Sequence, residues 1–199
     1  PAQACGIAGL KPTTGRVPLT GHFPWIGPMN DPRTVIGPLA RFVEDLALAL
    51  PIITGVDWED ASVIPMPLAD WRAVDVPTLR VAFYTHHAEA EPPPEPAETC
   101  RRAARSLAAL GAAVEEALPP RIEEAYNITR NYWRRPESAS ADEWEPDGEF
   151  SLSSEQVEAH LFTWDRFRRA LLGFMGGYDV ILTPAAELPA RPHGASEGR

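Results

Sequence analysis

Leu79-Arg80-Val81-Ala82-Phe83-Tyr84 and Ala113-Val114-Glu115-Glu116-Ala117-Leu118 bracket the stretch whose reading decides the fold. The first run is short and mostly apolar, which predicts a buried strand. The proline-rich segment Pro92-Pro93-Pro94-Glu95-Pro96 follows as a loop, and Pro96 suits the first turn of a helix, where no amide donor is needed. Along that helix Cys100, Ala104, Leu107 and Gly111 share one face, while Arg101, Arg102 and Arg105 point elsewhere. Gly111 is a natural carboxy-terminal cap. The second run is the next strand. Strand, helix and strand make a βαβ unit, which predicts parallel pairing through a right-handed crossover and an α/β class.

Downstream, residues 120–135 read as helical, with Ile122, Ala125, Tyr126, Thr129 and Trp133 roughly on one side. Residues 136–152 are acidic and irregular. Ser153 and Gln156 have capping-box spacing. A long helix follows with Val157, Leu161, Trp164, Phe167, Leu171 and Phe174 as its expected buried stripe, ending at Gly176-Gly177. Residues 178–183 read as a strand that Pro184 stops. Upstream, Pro65, Pro67 and Pro77 break residues 56–77 into an irregular connection. Leu39, Phe42, Val43, Leu46, Leu50 and Ile53 recur at helical spacing, with Pro51 expected to kink or shorten the last turn and Gly55 to stop it. Residues 1–38 are rich in Gly and Pro, with brief strands expected at 7–10 and 34–36. No internal repeat or heptad pattern occurs.

The 199 residues suffice for one sizeable core, and 44% hydrophobic with 23% charged residues is ordinary for a globular domain. A formal charge of -10 argues against a nucleic-acid or anionic-membrane partner. Lys11 is the only lysine. Two cysteines, Cys5 and Cys100, cannot form a disulfide framework, so a reducing, cytoplasmic compartment is the expectation. Residues 46–56 are apolar but broken by Pro51 and Gly55, and too short to span a bilayer. The chain opens on Pro1 rather than Met, so its true amino terminus is expected upstream.

Four landmarks resemble the amidase signature family in the right order. Pro1-Ala2-Gln3-Ala4-Cys5-Gly6-Ile7-Ala8-Gly9-Leu10-Lys11-Pro12-Thr13-Thr14-Gly15-Arg16-Val17-Pro18 is similar to the segment that follows the family's nucleophile. Ile36-Gly37-Pro38-Leu39-Ala40-Arg41 with Val43-Glu44-Asp45 is similar to its Gly-Pro-(Leu/Met)-Ala-Arg, Val-Glu-Asp helix entry. Leu79-Arg80-Val81-Ala82-Phe83 and Tyr178-Asp179-Val180-Ile181-Leu182-Thr183-Pro184 match two of its strands. The resemblance implies an incomplete amidase-signature fold, a mixed central β-sheet flanked by helices, with residues 1–199 forming a partial amidase domain.

Family members hydrolyse carboxylic amide C–N bonds with a Ser–cis-Ser–Lys arrangement. A neutral lysine takes a proton through the bridging serine, the nucleophilic serine attacks the carbonyl, and glycine-rich backbone N–H groups hold the oxyanion. By alignment all three residues lie upstream of Pro1, so no catalytic residue is expected in this chain. No cofactor and no metal site is expected either. The expected partner of the parent enzyme is a small-molecule amide, and oligomeric state is left open.

Residues that tempt otherwise have plainer readings. Lys11 matches the family's structural Lys-Pro-Thr position. Gly6 and Gly9 allow close backbone approach in a packed strand behind the missing serine. Cys5 has no base beside it and reads as a small buried residue. His86-His87 with Glu89 and Glu91 fit no metal-ligand spacing and read as a solvated loop, which as a strand end has the place to line a cleft. Asn127-Ile128-Thr129 is a sequon inside a predicted helix and reads as chance. His22, Phe23, Pro24 and Trp25 serve equally as pocket walls or as packing, so no role is assigned. Two further readings stand beside the amidase: a non-catalytic scaffold or binding remnant, and one component of an amidotransferase that acts on charged tRNA. The acidic balance counts against the last.

Overall fold

The computed structural model describes residues 2–22, 34–86, 94–132, 152–186 and 190. These divide into two compact units, the first up to Val74 and the second from Asp75 onward.

The first unit opens on a single helical turn, α1 (Ala2–Cys5), where a packed strand was expected. Alanine-rich residues favour helix, and Gly6 closes the turn at φ 64°, with its N–H donating to the Gln3 carbonyl at 3.3 Å. Strand β1 (Ala8–Gly9) follows and pairs antiparallel with β2 (Leu39–Ala40). The expected strand at 34–36 is absent. Pairing sits instead at Leu39 and Ala40, which had read as the start of a helix. Helix α2 therefore begins later, at Val43, and runs to Ile53 (Val43–Ile53). Glu44 and Asp45 lie in its first turn, where carboxylates face the positive end of the helix dipole. Pro51 is inside the last turn, and the helix ends two residues beyond it, with the Thr54 N–H on the Leu50 carbonyl at 3.1 Å. The unit's small core is Val17, Leu19, Leu46 and Val63. Val43, Leu48 and Ile52 of α2 stay exposed, Ile52 at 82%.

The second unit holds the βαβ unit read from the sequence. Strands β3 (Arg80–Phe83), β4 (Ala113–Glu116) and β5 (Val180–Leu182) form one parallel sheet in the order β4-β3-β5. Val81 sits opposite Val114 on one side and Val180 on the other. Val81 and Ala82 are fully buried, as a central strand covered on both faces must be. Helix α3 (Pro94–Ala109) buries Ala97, Cys100 and Ala104, the face set by the sequence spacing, with Ala97 extending it by one turn. Gly111 takes φ 97° and ends the helix, and a Cβ there would meet Pro77 at 3.3 Å.

Residues 122–132 form a 3-10 turn followed by helix α4 (Ala125–Tyr132), and long helix α5 (Ser154–Met175) packs against α4. The capping box is present: Ser153 N–H donates to Gln156 Oε1 at 2.8 Å, and Gln156 N–H to Ser153 Oγ at 3.3 Å. The expected faces hold in part, with Ile122 buried as expected. On α4 the inward residues are Ile128 and Tyr132, while Tyr126 is 69% exposed. Trp133 lies outside the described residues. On α5 the expected stripe holds at Val157, Trp164, Phe167, Leu171 and Phe174, which are half-buried, and fails only at Leu161, which is exposed while the neighbouring His160 is buried. An edge-to-face contact between Tyr132 and Trp164, 5.7 Å between centroids, anchors the pair.

Candidate functional site

Three places on the chain gather polar chemistry. The first is the glycine-bearing segment at the start. Gly9 lies so close to its surroundings that a Cβ would fall 2.8 Å from both Ala2 Cβ and Leu39 Cδ2. At Gly37 a Cβ would fall 2.0 Å from the Leu10 carbonyl oxygen. These glycines let residues 2–12 and 34–40 lie backbone against backbone, with Leu10 N–H donating to the Pro38 carbonyl at 3.1 Å. Cys5, expected buried, is exposed, because the helical turn carries it away from the pair of strands. Gly6 needs its left-handed backbone, not close packing: no atom lies within 4 Å of a Cβ built there.

Beyond Gly15 the chain is stapled to residues 55–67. Arg16 donates its guanidinium to the Met66 carbonyl at 3.0 Å and its own carbonyl accepts from Gly55 N–H at 3.2 Å. Asp60 is the knot. It accepts from Leu19 N–H at 2.9 Å, from Ser62 N–H at 2.9 Å and from Ser62 Oγ–H at 2.5 Å. Burial alone would raise its carboxyl, but the bonds from Ser62 and Leu19 outweigh it and hold it below the ordinary range. These carboxylate bonds are structural. Lys11 is exposed on this segment. His22 is exposed, and Phe23, Pro24 and Trp25 lie outside the described residues.

The second place is the carboxyl end of the parallel sheet, where α/β proteins put ligands. Thr85, 3% exposed, accepts at Oγ1 from Arg101 at 3.5 Å and lies 3.4 Å from His86 Nδ1. Cys100 Sγ lies 3.6 Å from the Tyr84 carbonyl oxygen and 3.8 Å from that of Leu182. Burial pushes its thiol up, so it stays protonated and unreactive. His86 is exposed, and His87, Glu89 and Glu91 lie outside the described residues. No cluster of three or more metal-ligating side chains occurs among the described residues. Asn127 lies in α4.

The third place was not singled out in the sequence. Between α4 and α5 is a groove of about 360 Å³, where the apolar Ile128, Leu152 and Ala159 share the lining with Glu124, Asn127, Asn131, Gln156, His160 and Thr163. The signal was there in the spacing. Residues 124, 127 and 131 step by three and four, as do 156, 160 and 163, so each trio marks one helical face.

The family model described as Amidase matches residues 1–145. The chain belongs to the amidase signature family. Among curated relatives of this amidase-family chain, the A subunit of glutamyl-tRNA(Gln) amidotransferase from Moorella thermoacetica is 34% identical over 151 residues, 74% of this chain and 30% of that protein. Its counterpart from Staphylococcus saprophyticus is 36% identical over 135 residues, 66% of this chain and 27% of its own length. The chain thus spans about 30% of the length of the curated relatives it matches. The crystal structure of the Thermotoga maritima counterpart superposes with a TM-score of 0.75 and 26% identity, covering 98% of this chain and 46% of that one. A bacterial aryl acylamidase of the amidase signature family shares the fold at a TM-score of 0.71 and 19% identity, covering 92% of this chain and 42% of that one. The α/β architecture read from the sequence is therefore that of the family. No helix among the described residues is long and apolar enough to cross a membrane.

Proposed function

We propose that this amidase-family chain is the supporting part of an enzyme that hydrolyses carboxylic amide C–N bonds through a Ser–cis-Ser–Lys arrangement contributed by residues outside it. The observation that carries this reading is the ordered family motif around Gly9 and Gly37 together with the place of the only lysine. That mechanism needs a lysine held neutral by burial or neighbouring charge. Lys11 is the one lysine in the sequence and it is exposed. The residues present act as scaffold: the close-packed strands β1 and β2 position the chain behind the nucleophile, and the parallel sheet with α3 to α5 forms walls. A small-molecule amide is the substrate class, and no catalytic, cofactor or metal residue is assigned here. The exposed α2 residues Val43, Leu48 and Ile52 fit a surface that further chain covers. Two free thiols fit a reducing, cytoplasmic setting.

The test is the gene around this chain. Expression of the whole reading frame is expected to release product from a simple aryl amide, with loss of turnover when the upstream serine or lysine is replaced. The 199 residues alone are expected to hydrolyse no amide and to be poorly soluble or partly unfolded. An adjoining sequence with neither the serine nor the lysine sinks the reading and leaves a non-catalytic scaffold. A second reading has its own support in the curated relatives, which are named as the A component of an amidotransferase. Transfer of ammonia to an acceptor in the presence of partner proteins, rather than hydrolysis alone, would select it.

A further inference from the structure

Gly9 is a glycine that its own backbone does not require. It sits in strand β1 without the positive φ that Gly6 and Gly15 adopt, so the conformation is open to any residue. Glycine inside a strand weakens it, and the usual reason for one is a close neighbour. Here there are two. A Cβ at position 9 would fall 2.8 Å from Leu39 Cδ2 and 2.8 Å from Ala2 Cβ.

Those neighbours differ in how freely they move. Leu39 Cδ2 ends a flexible side chain on a residue 53% exposed, and it can rotate aside. Ala2 Cβ is bonded directly to the backbone and has no rotamer to change. Strand β1 cannot give way easily either, because Ala8 and Gly9 pair with Ala40 and Leu39, and the Leu10 N–H is held by the Pro38 carbonyl. The Ala2 carbonyl accepts from the Ile7 N–H at 3.1 Å, so α1 folds back on β1 and Ala2 rests on Gly9. Carbon atoms in good contact lie about 3.5–4.0 Å apart, so a methyl group at position 9 would displace the Ala2 backbone by about 1 Å.

We infer that Gly9 is a positioning residue: its missing side chain lets Ala2 seat against β1, and that seat sets where the chain ahead of Pro1 presents the nucleophilic serine. The inference rests on the amidase reading above, which puts that serine ahead of Pro1. A misplacement of about 1 Å at reacting atoms lowers a rate by about 100-fold, whereas lost substrate contacts would raise KM.

Steady-state kinetics of the full-length protein that carries this chain test it, with 4-nitroacetanilide as the aryl amide. Gly9→Ala is expected to lower kcat by about 10- to 100-fold per folded molecule, with KM nearly unchanged. Adding Ala2→Gly removes the opposing Cβ and is expected to restore most of the lost rate, the coupling that residues in contact show. A glycine that only stabilised the fold would lower the melting temperature and leave kcat per folded molecule alone. Ala2→Val crowds the same contact from the other side and is expected to lower kcat likewise, which keeps the inference open to refutation if Gly9→Ala does not fold. The Ala2 methyl resonance is expected to shift in Gly9→Ala, a readout that needs no turnover. Wild-type kcat in Gly9→Ala, no recovery with Ala2→Gly, or a methyl resonance that stays in place overturns the inference and leaves the amidase reading standing. A wild-type protein that releases no 4-nitroaniline fails the amidase reading itself and takes the inference with it.

Discussion

Arg80 and Asp179 hold each other across the amino-terminal ends of β3 and β5 through both side chain and backbone. Arg80 Nη2 donates to Asp179 Oδ1 at 3.0 Å and Arg80 Nε to Oδ2 at 3.1 Å, a forked pair. The Arg80 N–H also donates to Oδ2 at 2.9 Å, and the Asp179 N–H to the Arg80 carbonyl at 2.8 Å. The Arg80 side chain is the larger cause, and its backbone the next, that takes the Asp179 carboxyl from 3.8 to about 2. A carboxyl lowered on folding stabilises above its unfolded value and loses that contribution as pH falls through its folded value. The linked stability is therefore present above about pH 4 and lost between there and pH 2. In Asp179→Asn that component of the acid limb is expected to vanish. Urea melts of both proteins at steps from pH 6 to pH 2, if parallel throughout, would show the pair to be inert.

Gly37 and Gly6 should respond differently to alanine. At Gly37 a methyl group meets the Leu10 carbonyl, a backbone atom that cannot swing aside. Gly37→Ala is expected to destabilise by about 1–3 kcal/mol. At Gly6 the space is open and only the φ of 64° resists, so Gly6→Ala is expected to cost about 1 kcal/mol. Denaturant midpoints rank the two, and a larger loss at Gly6 contradicts the close approach.

Asp60 ties Leu19 and Ser62 into one turn. Replacing it by alanine strands the N–H of Leu19, a residue only 6% exposed. Asp60→Ala is expected to cost about 1–3 kcal/mol. Hydrogen exchange offers the local check: the Leu19 amide should lose protection first, and unchanged protection there rules out the knot.

The two thiols should react on different timescales. Cys5 is exposed on its helical turn, while Cys100 is 4% exposed on the inward face of α3 with its thiol pushed up by burial. A disulfide reagent is expected to modify one thiol per chain in the native protein, at Cys5, and the second only with unfolding. Prompt labelling of Cys100, located by peptide mapping, is the contrary result.

The elements legible in advance were those set by local chemistry. The capping box at Ser153 and Gln156, the stop at Gly111 and the inward face of α3 depend on residues within two turns of one another. The apolar run at 79–84 had to be a covered strand, since Val81 and Ala82 have no polar alternation to turn outward. The brief strands were harder, because a two-residue strand is defined by its partner and not by its own pattern. Leu39 and Ala40 pair with Gly9 and Ala8, and the apolar residues at 34–36 do not. The site was legible only in part. Gly6 and Gly9 both read as sites of close approach, which holds at Gly9 and not at Gly6, and the α4–α5 groove escaped because its two rows belong to separate helices, Ala125–Tyr132 and Ser154–Met175.

Taken alone, the residue order determined that this chain is α/β, where its longer helices stop, and which family motifs run through it. Periodicity and capping are short-range, so they need no knowledge of the rest of the molecule. Only the tertiary structure decided that β5 lies beside β3 rather than β4, that His160 faces inward while Leu161 does not, and that Asn127 and Asn131 line one groove with Gln156 and Thr163. Those outcomes depend on which surfaces exclude water together, and burial is shared between distant segments, so no window of sequence contains it.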